Sequence, residues 1–462
     1  MSKFFRSRHS PKPTLDHSAY SSLLDPGVSV AEQPSQQCRD RASPTDYHSR
    51  SWLAVVENRA SWTGERPPTR KLVKDMNGSR PSSSLELSDS DAEKEKGIIA
   101  ALPYPPNVLP GGRAVATPYG TIQVFEWGPE HGEKVLLLHG ISTPCLALGT
   151  LAEALVARGY RVMLFDLFGR GYSDAPADVP YDARLYTTQI LLVLASSRLG
   201  GWTGDGAFHL VGYSLGGGLA VPFARYFPRM VKSVVVIAGG GLIRPGHVSW
   251  RSRMLYSRGV LPEGMLQWLI RRRLTPPAGG SGGRPVTETK MATEVVGGNG
   301  GERHKNSDAS GGHGFDNAVL LASRPGHTVS AVMGWQLRHH EGFIPAFVSS
   351  IRYAPIYEQK EDWHALGQLL AERRERAGWE DTADELPGLT GGKILLVLGA
   401  SDPVIVKEEL IHDATAVLGE DGFEAVLLDA GHELVMSKGD EVAAVVSNFW
   451  RRSQGETDAV GE

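Results

Sequence analysis

Ala207-Phe-His-Leu-Val-Gly-Tyr-Ser-Leu-Gly-Gly-Gly-Leu-Ala-Val-Pro-Phe-Ala-Arg-Tyr-Phe227 is the stretch that decides the fold. Phe208 to Val211 is a short apolar run bounded by Gly204, Gly206 and Gly212, the pattern of a buried strand. Leu219, Phe223 and Phe227 recur every fourth residue, which is one face of a helix. Between them lies Gly212-Tyr213-Ser214-Leu215-Gly216. A strand-to-helix turn this tight forces its middle residue into a strained backbone, and glycines two before and two after remove the Cβ atoms that would collide. Ser214 then stands at the tip with its hydroxyl exposed. Behind it is a helix start, whose free N–H groups and partial positive charge suit an anionic intermediate. This is the pattern of a nucleophile elbow. In a chain with 54 glycines the pentapeptide is also compatible with an ordinary Gly-rich turn, so its surroundings decide.

Working outward, strands and helices alternate. Arg113–Thr117 and Thr121–Trp127 read as strands joined by the turn Pro118-Tyr119-Gly120. Val135–Leu138, Val162–Phe165, Val231–Ile237, Ile394–Leu398 and Ala425–Leu428 are further apolar runs. Helical spacing covers Leu146–Arg158, Ala183–Leu199, Ser214–Phe227, Phe343–Ile351, Trp363–Ala377, Glu408–Leu418 and Glu441–Trp450. Such alternation means a parallel sheet with right-handed crossovers.

Two regions break the pattern. Residues 1–100 are rich in Ser, Pro and Arg, lack apolar periodicity, and are expected to be disordered. Residues 242–340 leave the alternation. They include Trp250, Met254, Leu255, Leu266, Trp268 and Leu269, an apolar set expected to pack on the sheet domain or to line a pocket; any single one is as readily part of a small core of the excursion itself, and of the group at least one or two are expected to face Ser214. Within them, 276–316 is Gly- and Ser-rich and expected to be a disordered loop, with His304 and His313 as solvated linker residues. His339 and His340 are neighbours that diverge on a helix and do not form a joint metal site.

Composition narrows the function classes. A net charge of -4 gives no reason to invoke nucleic acid or an anionic membrane. The two cysteines, Cys38 and Cys145, exclude a disulfide scaffold and form no metal pattern. They suit a reducing compartment, and a cytoplasmic location is the expectation. The basic start, with Lys3, Arg6, Arg8 and Lys12, faintly suggests mitochondrial targeting, which Pro11 and Pro13 oppose. No apolar run approaches the roughly 18–20 residues that cross a bilayer.

Three features lie where a serine nucleophile needs them, beyond the carboxyl ends of strands. His139-Gly140-Ile141 follows the run ending at Leu138; Gly140 lets the chain turn so that the Ile141 N–H points toward Ser214, with the Leu215 N–H as second oxyanion donor. His139 itself braces that turn. Asp402 follows Ile394–Leu398, and His432 follows Ala425–Leu428. Taken singly, Asp402 could open a turn before Pro403 and His432 could pack a loop; together they stand in the order Ser, Asp, His expected of this elbow. Asp384 and Glu385 lie on the amino side of their strand, the wrong end for a site.

With these pieces in place the chain resembles the α/β-hydrolase family, in the serine branch with a single His-Gly oxyanion turn. The matching residues are His139-Gly140, Asp166-Leu-Phe-Gly-Arg-Gly-Tyr-Ser-Asp174, Gly212-Tyr213-Ser214-Leu215-Gly216, Asp402 and Gly431-His432, within about 111–453. The resemblance implies an α/β fold with a mostly parallel eight-stranded sheet and helices on both faces. The core is expected at 111–241 and 341–453, with 242–340 as a cap inserted after the sixth strand. It also implies a serine hydrolase with Ser214, Asp402 and His432 as triad, acting on a small acyl ester or lipid-like substrate without metal or organic cofactor. Thioester, amide and C–C bond cleavage are the alternatives within the fold, and a non-catalytic scaffold is the rival outside enzymology. Relatives that act as epoxide hydrolases or dehalogenases place an aspartate where this chain has Ser214.

Overall fold

In the computed structural model, the described residues are 97, 100–247, 254–274, 311–376 and 386–454, all within Ser51–Glu462. Strands β1 (Gly112–Thr117) and β2 (Gly120–Trp127) form a hairpin, with Val115 opposite Ile122. β3 (Lys134–Leu138) leads through a 3-10 turn, Cys145–Leu148, and helix α1 (Gly149–Ala157) to β4 (Arg161–Phe165). Helix α2 (Ala183–Ala195) crosses to β5 (Phe208–Tyr213), and α3 (Leu215–Tyr226) to β6 (Val231–Ile237). The sheet order is β1-β2-β4-β3-β5-β6-β7-β8, where β7 is Ile394–Gly399 and β8 is Phe423–Leu428. β2 runs antiparallel to β1 and β4, and all other pairings are parallel. The eight strands, mostly parallel, are those expected from the sequence.

Central strands buried on both faces read as unbroken apolar runs. Val135, Leu136, Leu137 and Leu138 of β3 are fully buried, each stabilising the fold by about 1.5–3 kcal/mol. Helix starts are set locally. Asp182 caps α2 by accepting from the N–H groups of Arg184 and Leu185, a contribution of about 1 kcal/mol.

Between β6 and β7 the chain leaves the sheet. Helices α4 (Glu263–Leu274), α5 (Gly311–Asn317), α6 (Val329–His339) and α7 (Phe343–Tyr353) occupy this excursion. Helix α8 (Lys360–Arg376) then returns to pack on α3 and on α9 (Lys407–Leu418). A short helix α10 (Leu434–Ser437) and α11 (Gly439–Ser453) close the chain. Three expectations change here. The far end of the Gly-rich run, 311–316, belongs to helix α5; its earlier part, like residues 1–96, lies outside the described residues. Helix α7, expected in the core, packs against α4 and α6 of the excursion and also reaches α2 of the core, through Ser350 and Tyr186. The folded region starts before Gly111, because Leu102, Tyr104, Val108 and Leu109 are buried.

The Asp166-to-Asp174 loop explains that early start. The buried Asp166 carboxylate accepts from the N–H groups of Cys145 and Tyr172, both at 2.9 Å, and from the Tyr104 hydroxyl at 3.0 and 2.9 Å. Burial nevertheless pushes Asp166 up to about 6, the hydrogen bonds opposing the shift. The Tyr172 hydroxyl donates back to the Tyr104 carbonyl. Tyr104 therefore ties the segment before β1 to the loop that follows β4. Removing one donor from a buried acceptor costs about 1–3 kcal/mol. Tyr104→Phe is expected to lower the unfolding free energy in urea by about that amount; a change below about 0.5 kcal/mol contradicts the role given to this hydroxyl.

Candidate active site

The tip of the β5–α3 turn has the backbone its sequence demands. Ser214 has φ 53° and ψ −117°, a conformation that costs a non-glycine residue on the order of 1–3 kcal/mol. Main-chain bonds on both sides hold it there. The Ser214 N–H donates to the Ile237 carbonyl at 3.0 Å, and the Ser214 carbonyl accepts from Gly217 and Gly240, each at 2.9 Å. A Cβ on Gly212 would overlap the backbone of Gly216, and one on Gly216 would overlap the Leu138 carbonyl. Both expected elbow glycines are thus required by close backbone approach. Ser214 remains partly exposed while Tyr213 and Leu215 are buried.

The loops after β7 and β8 bring the partners. His432 Nε2 is 3.0 Å from Ser214 Oγ, and His432 Nδ1 is 2.8 Å from Asp402 Oδ2. The other carboxylate oxygen of Asp402 accepts from the N–H groups of Val404 at 2.7 Å and Ile405 at 3.0 Å. A carboxylate so fixed takes the Nδ1–H and leaves Nε2 to accept the serine proton. Both side chains are almost closed to solvent, at 2% and 1% exposure. The Tyr213 hydroxyl donates to the His432 carbonyl at 2.9 Å, which ties the histidine loop to the elbow. Asp384 and Glu385 lie outside the described residues.

Gly140 follows β3 directly beside the serine. A Cβ built on it would stand 3.3 Å from Ser214 Cβ. Ile141 is the next residue, and Leu215 is the first residue of α3, where an N–H has no acceptor within its own helix. His139 sits under this turn, fully buried. Its Nε2 accepts from the Leu167 N–H at 2.8 Å, so Nδ1 carries the proton and donates to the Gly140 carbonyl at 2.8 Å.

The excursion reaches the site through a residue the sequence conceals. The Phe315 ring, on α5, lies 6.3 Å from the His432 ring. Its Gly-rich surroundings gave no helical signal. Of the apolar set singled out in the excursion, Met254 and Trp268 are largely exposed, at 49% and 55%, Leu255 and Leu269 are half-buried, and Leu266 is buried. Trp250 lies outside the described residues. Among the described residues, no group of three or more His, Cys, Asp or Glu could hold a metal ion, and no helix is long and apolar enough to cross a membrane.

Comparison with known proteins gives the family of the chain. Residues 134–439 match the family model described as alpha/beta hydrolase fold. The chain is 29% identical over 211 residues to an uncharacterized protein of Mycobacterium bovis, covering 45% of this chain and 52% of that one. It is 31% identical over 127 residues to a serine hydrolase-like protein of Danio rerio, covering 27% of this chain and 37% of the relative. A match to Lipase 3 of a Moraxella species is 29% identical and covers 25% of this chain and 34% of the lipase. The matched stretches thus span about half, or less, of these relatives' length. Among solved structures, the epoxide hydrolase A of Mycobacterium thermoresistibile covers 74% of this chain and 98% of that one, at 21% identity and a TM-score of 0.47.

Two buried histidines near the site have a measurable consequence. Burial, with Arg170 adding repulsion, lowers His139 to about 3 and His340 to about 4. His340 Nε2–H donates to the Ser173 carbonyl at 3.0 Å. The unfolded chain takes up a proton at each near pH 6.5, while the fold does not until the lower value. Their neutral forms therefore cost no stability above about pH 6.5, and the fold loses stability as pH falls from there toward about 4. Asp166, raised to about 6, acts in the opposite sense between its unfolded and folded values. The clean test is a difference. Between about pH 6.5 and pH 5, His340→Gln should lose roughly 1.5 kcal/mol less unfolding free energy than the wild type. Equal losses in the two proteins contradict a histidine held neutral at this position.

Proposed function

The chain belongs to the α/β-hydrolase fold family, and we propose that within it this protein is a serine hydrolase that cleaves a carboxylic ester or related acyl bond through an acyl-serine intermediate. The observation that carries the reading is the continuous chain Ser214 Oγ, His432 and Asp402, at 3.0 and 2.8 Å, ending in a strained and partly exposed serine. Neutral His432 accepts the Ser214 proton at Nε2 as Oγ attacks the carbonyl carbon. Asp402 keeps the tautomer in place and stabilises the imidazolium. The N–H groups of Ile141 and Leu215 receive the oxyanion, and one such donor is worth about 3–4 kcal/mol of barrier. His432 then returns its proton to the leaving oxygen. In the second half it draws a proton from water, which attacks the acyl-serine and frees the acid. Every step uses this chain's own groups.

The surroundings favour a neutral acyl group. Phe315 lies beside His432, and the partly buried Ile141 packs against the apolar core. Burying an unpaired charge against such groups is costly. The names serine hydrolase-like protein and lipase, borne by relatives that match part of this chain, support the same chemistry.

Kinetics test the triad as a unit. Ser214→Ala, His432→Ala and Asp402→Asn should each lower kcat on a p-nitrophenyl ester by roughly three orders of magnitude or more, with the protein still folded. Double and triple variants should be little worse than Ser214→Ala alone. Losses that add up residue by residue contradict the assignment.

A further inference from the structure

Three successive carbonyls of the turn after β3 are each held by a different buried side chain. Gly140 O accepts from His139 Nδ1 at 2.8 Å, Ile141 O from Arg170 Nε at 3.0 Å, and Ser142 O from Gln336 Nε2 at 3.0 Å. In a trans peptide the C=O and the following N–H point in opposite directions. Each held carbonyl therefore fixes the N–H of the next residue: His139, through Gly140 O, sets the Ile141 N–H, while Arg170 and Gln336 set the two peptides that follow it and so hold the turn in which Ile141 stands.

Two of the three donors depend on the excursion above the sheet. Gln336 stands on α6 and is fully buried. Its Oε1 accepts from the Gly171 N–H at 2.9 Å, so the one amide bridges the turn and the Asp166-to-Asp174 loop. Arg170 is also fully buried, and its other hydrogen bonds among the described residues go to neutral oxygens: Phe168 O at 3.0 Å, Tyr186 Oη at 3.3 Å and Ser350 Oγ at 3.0 Å. Ser350 belongs to α7, and its hydroxyl pairs with the Tyr186 hydroxyl at 2.8 Å. A buried cation is tolerated only with its donors satisfied, so Arg170 keeps its geometry while α7 is in place. Gln336 and Ser350 have no place in the chemistry given above, yet each reaches the oxyanion turn directly or through one residue.

We propose that helices α6 and α7 support the oxyanion site: Gln336, and Ser350 acting through Arg170, are positioning residues that hold the two peptides following Ile141 and so keep the turn that presents the Ile141 N–H toward the developing charge. The proposal rests on the serine-hydrolase reading and adds that the excursion governs the rate of the chemical step. A cap that only bounded a substrate pocket would act on substrate binding instead.

The test compares wild type, Gln336→Met, Gln336→Glu and Ser350→Ala. Gln336→Met keeps the volume and loses both bonds; Gln336→Glu keeps an acceptor for Gly171 and loses the donor to Ser142. The readouts are kcat and KM on a p-nitrophenyl ester, the affinity of a phenylboronic acid that forms an anionic tetrahedral adduct on Ser214, and thermal unfolding. Both Gln336 variants should lose on the order of 10-fold in kcat with KM within about twofold, boronate affinity falling in step with kcat. Ser350→Ala, which removes one hydroxyl and tests the idea should a Gln336 variant fail to fold, should lose severalfold in the same two quantities. Folded variants with unchanged kcat, or with losses confined to KM while boronate affinity holds, overturn the proposal. A folded wild type that neither hydrolyses esters nor binds the boronate overturns the serine-hydrolase reading itself.

Discussion

The close approach of α3 to β3, where Gly216 lies against the Leu138 carbonyl, is the constraint on which the candidate site depends. It leaves no room for a Cβ and forces the chain to reverse between β5 and α3 within one residue. That residue is Ser214, whose strained backbone is held by bonds from β6 and from the first turn of α3. The same approach sets Gly140 beside the serine. The strain is small against what surrounds it. Fully buried Val, Leu and Ile side chains on β3, β5, β6 and β7 each contribute about as much as the strained residue costs. The parallel order of β5, β6, β7 and β8 then brings the Asp402 and His432 loops to the same edge.

Around this rigid centre the chain uses buried polar groups where an apolar core would have sufficed for stability. Arg170, Gln336, His139 and Ser350 are fully buried and bond chiefly to main-chain carbonyls, to one another or to a neighbouring hydroxyl. Each group left unpaired would carry a desolvation cost, so the network tolerates few alternative arrangements. Fixing the direction of a short turn is a task for which directional bonds are suited and non-directional hydrophobic packing is not.

The sequence made the centre legible and the periphery much less so, for physical reasons. The elbow is local: its glycines, serine and following helix all lie within one short stretch, and each has its own steric signature. The central strands announce themselves because burial on both faces leaves only apolar residues, as in Val135–Leu138. Tyr104 sits among Pro103, Pro105 and Pro106, a stretch with no periodicity, although its hydroxyl reaches Asp166, 62 residues on. Gln336 bonds to Ser142 across a separation of 194 residues, and nothing near either residue encodes the other. Phe315 was hidden because glycines mask helical spacing, and α6 because its buried face mixes Gly334 and Gln336 with Val332 and Trp335.

The central claim, that Ser214 is a nucleophile activated by His432, is tested most directly by intact-mass spectrometry after incubation with a fluorophosphonate. The account predicts one covalent adduct per chain, mapped to Ser214, absent from Ser214→Ala and formed far more slowly in His432→Ala. A folded wild-type chain that takes up no adduct, or an adduct that persists in Ser214→Ala, would contradict it.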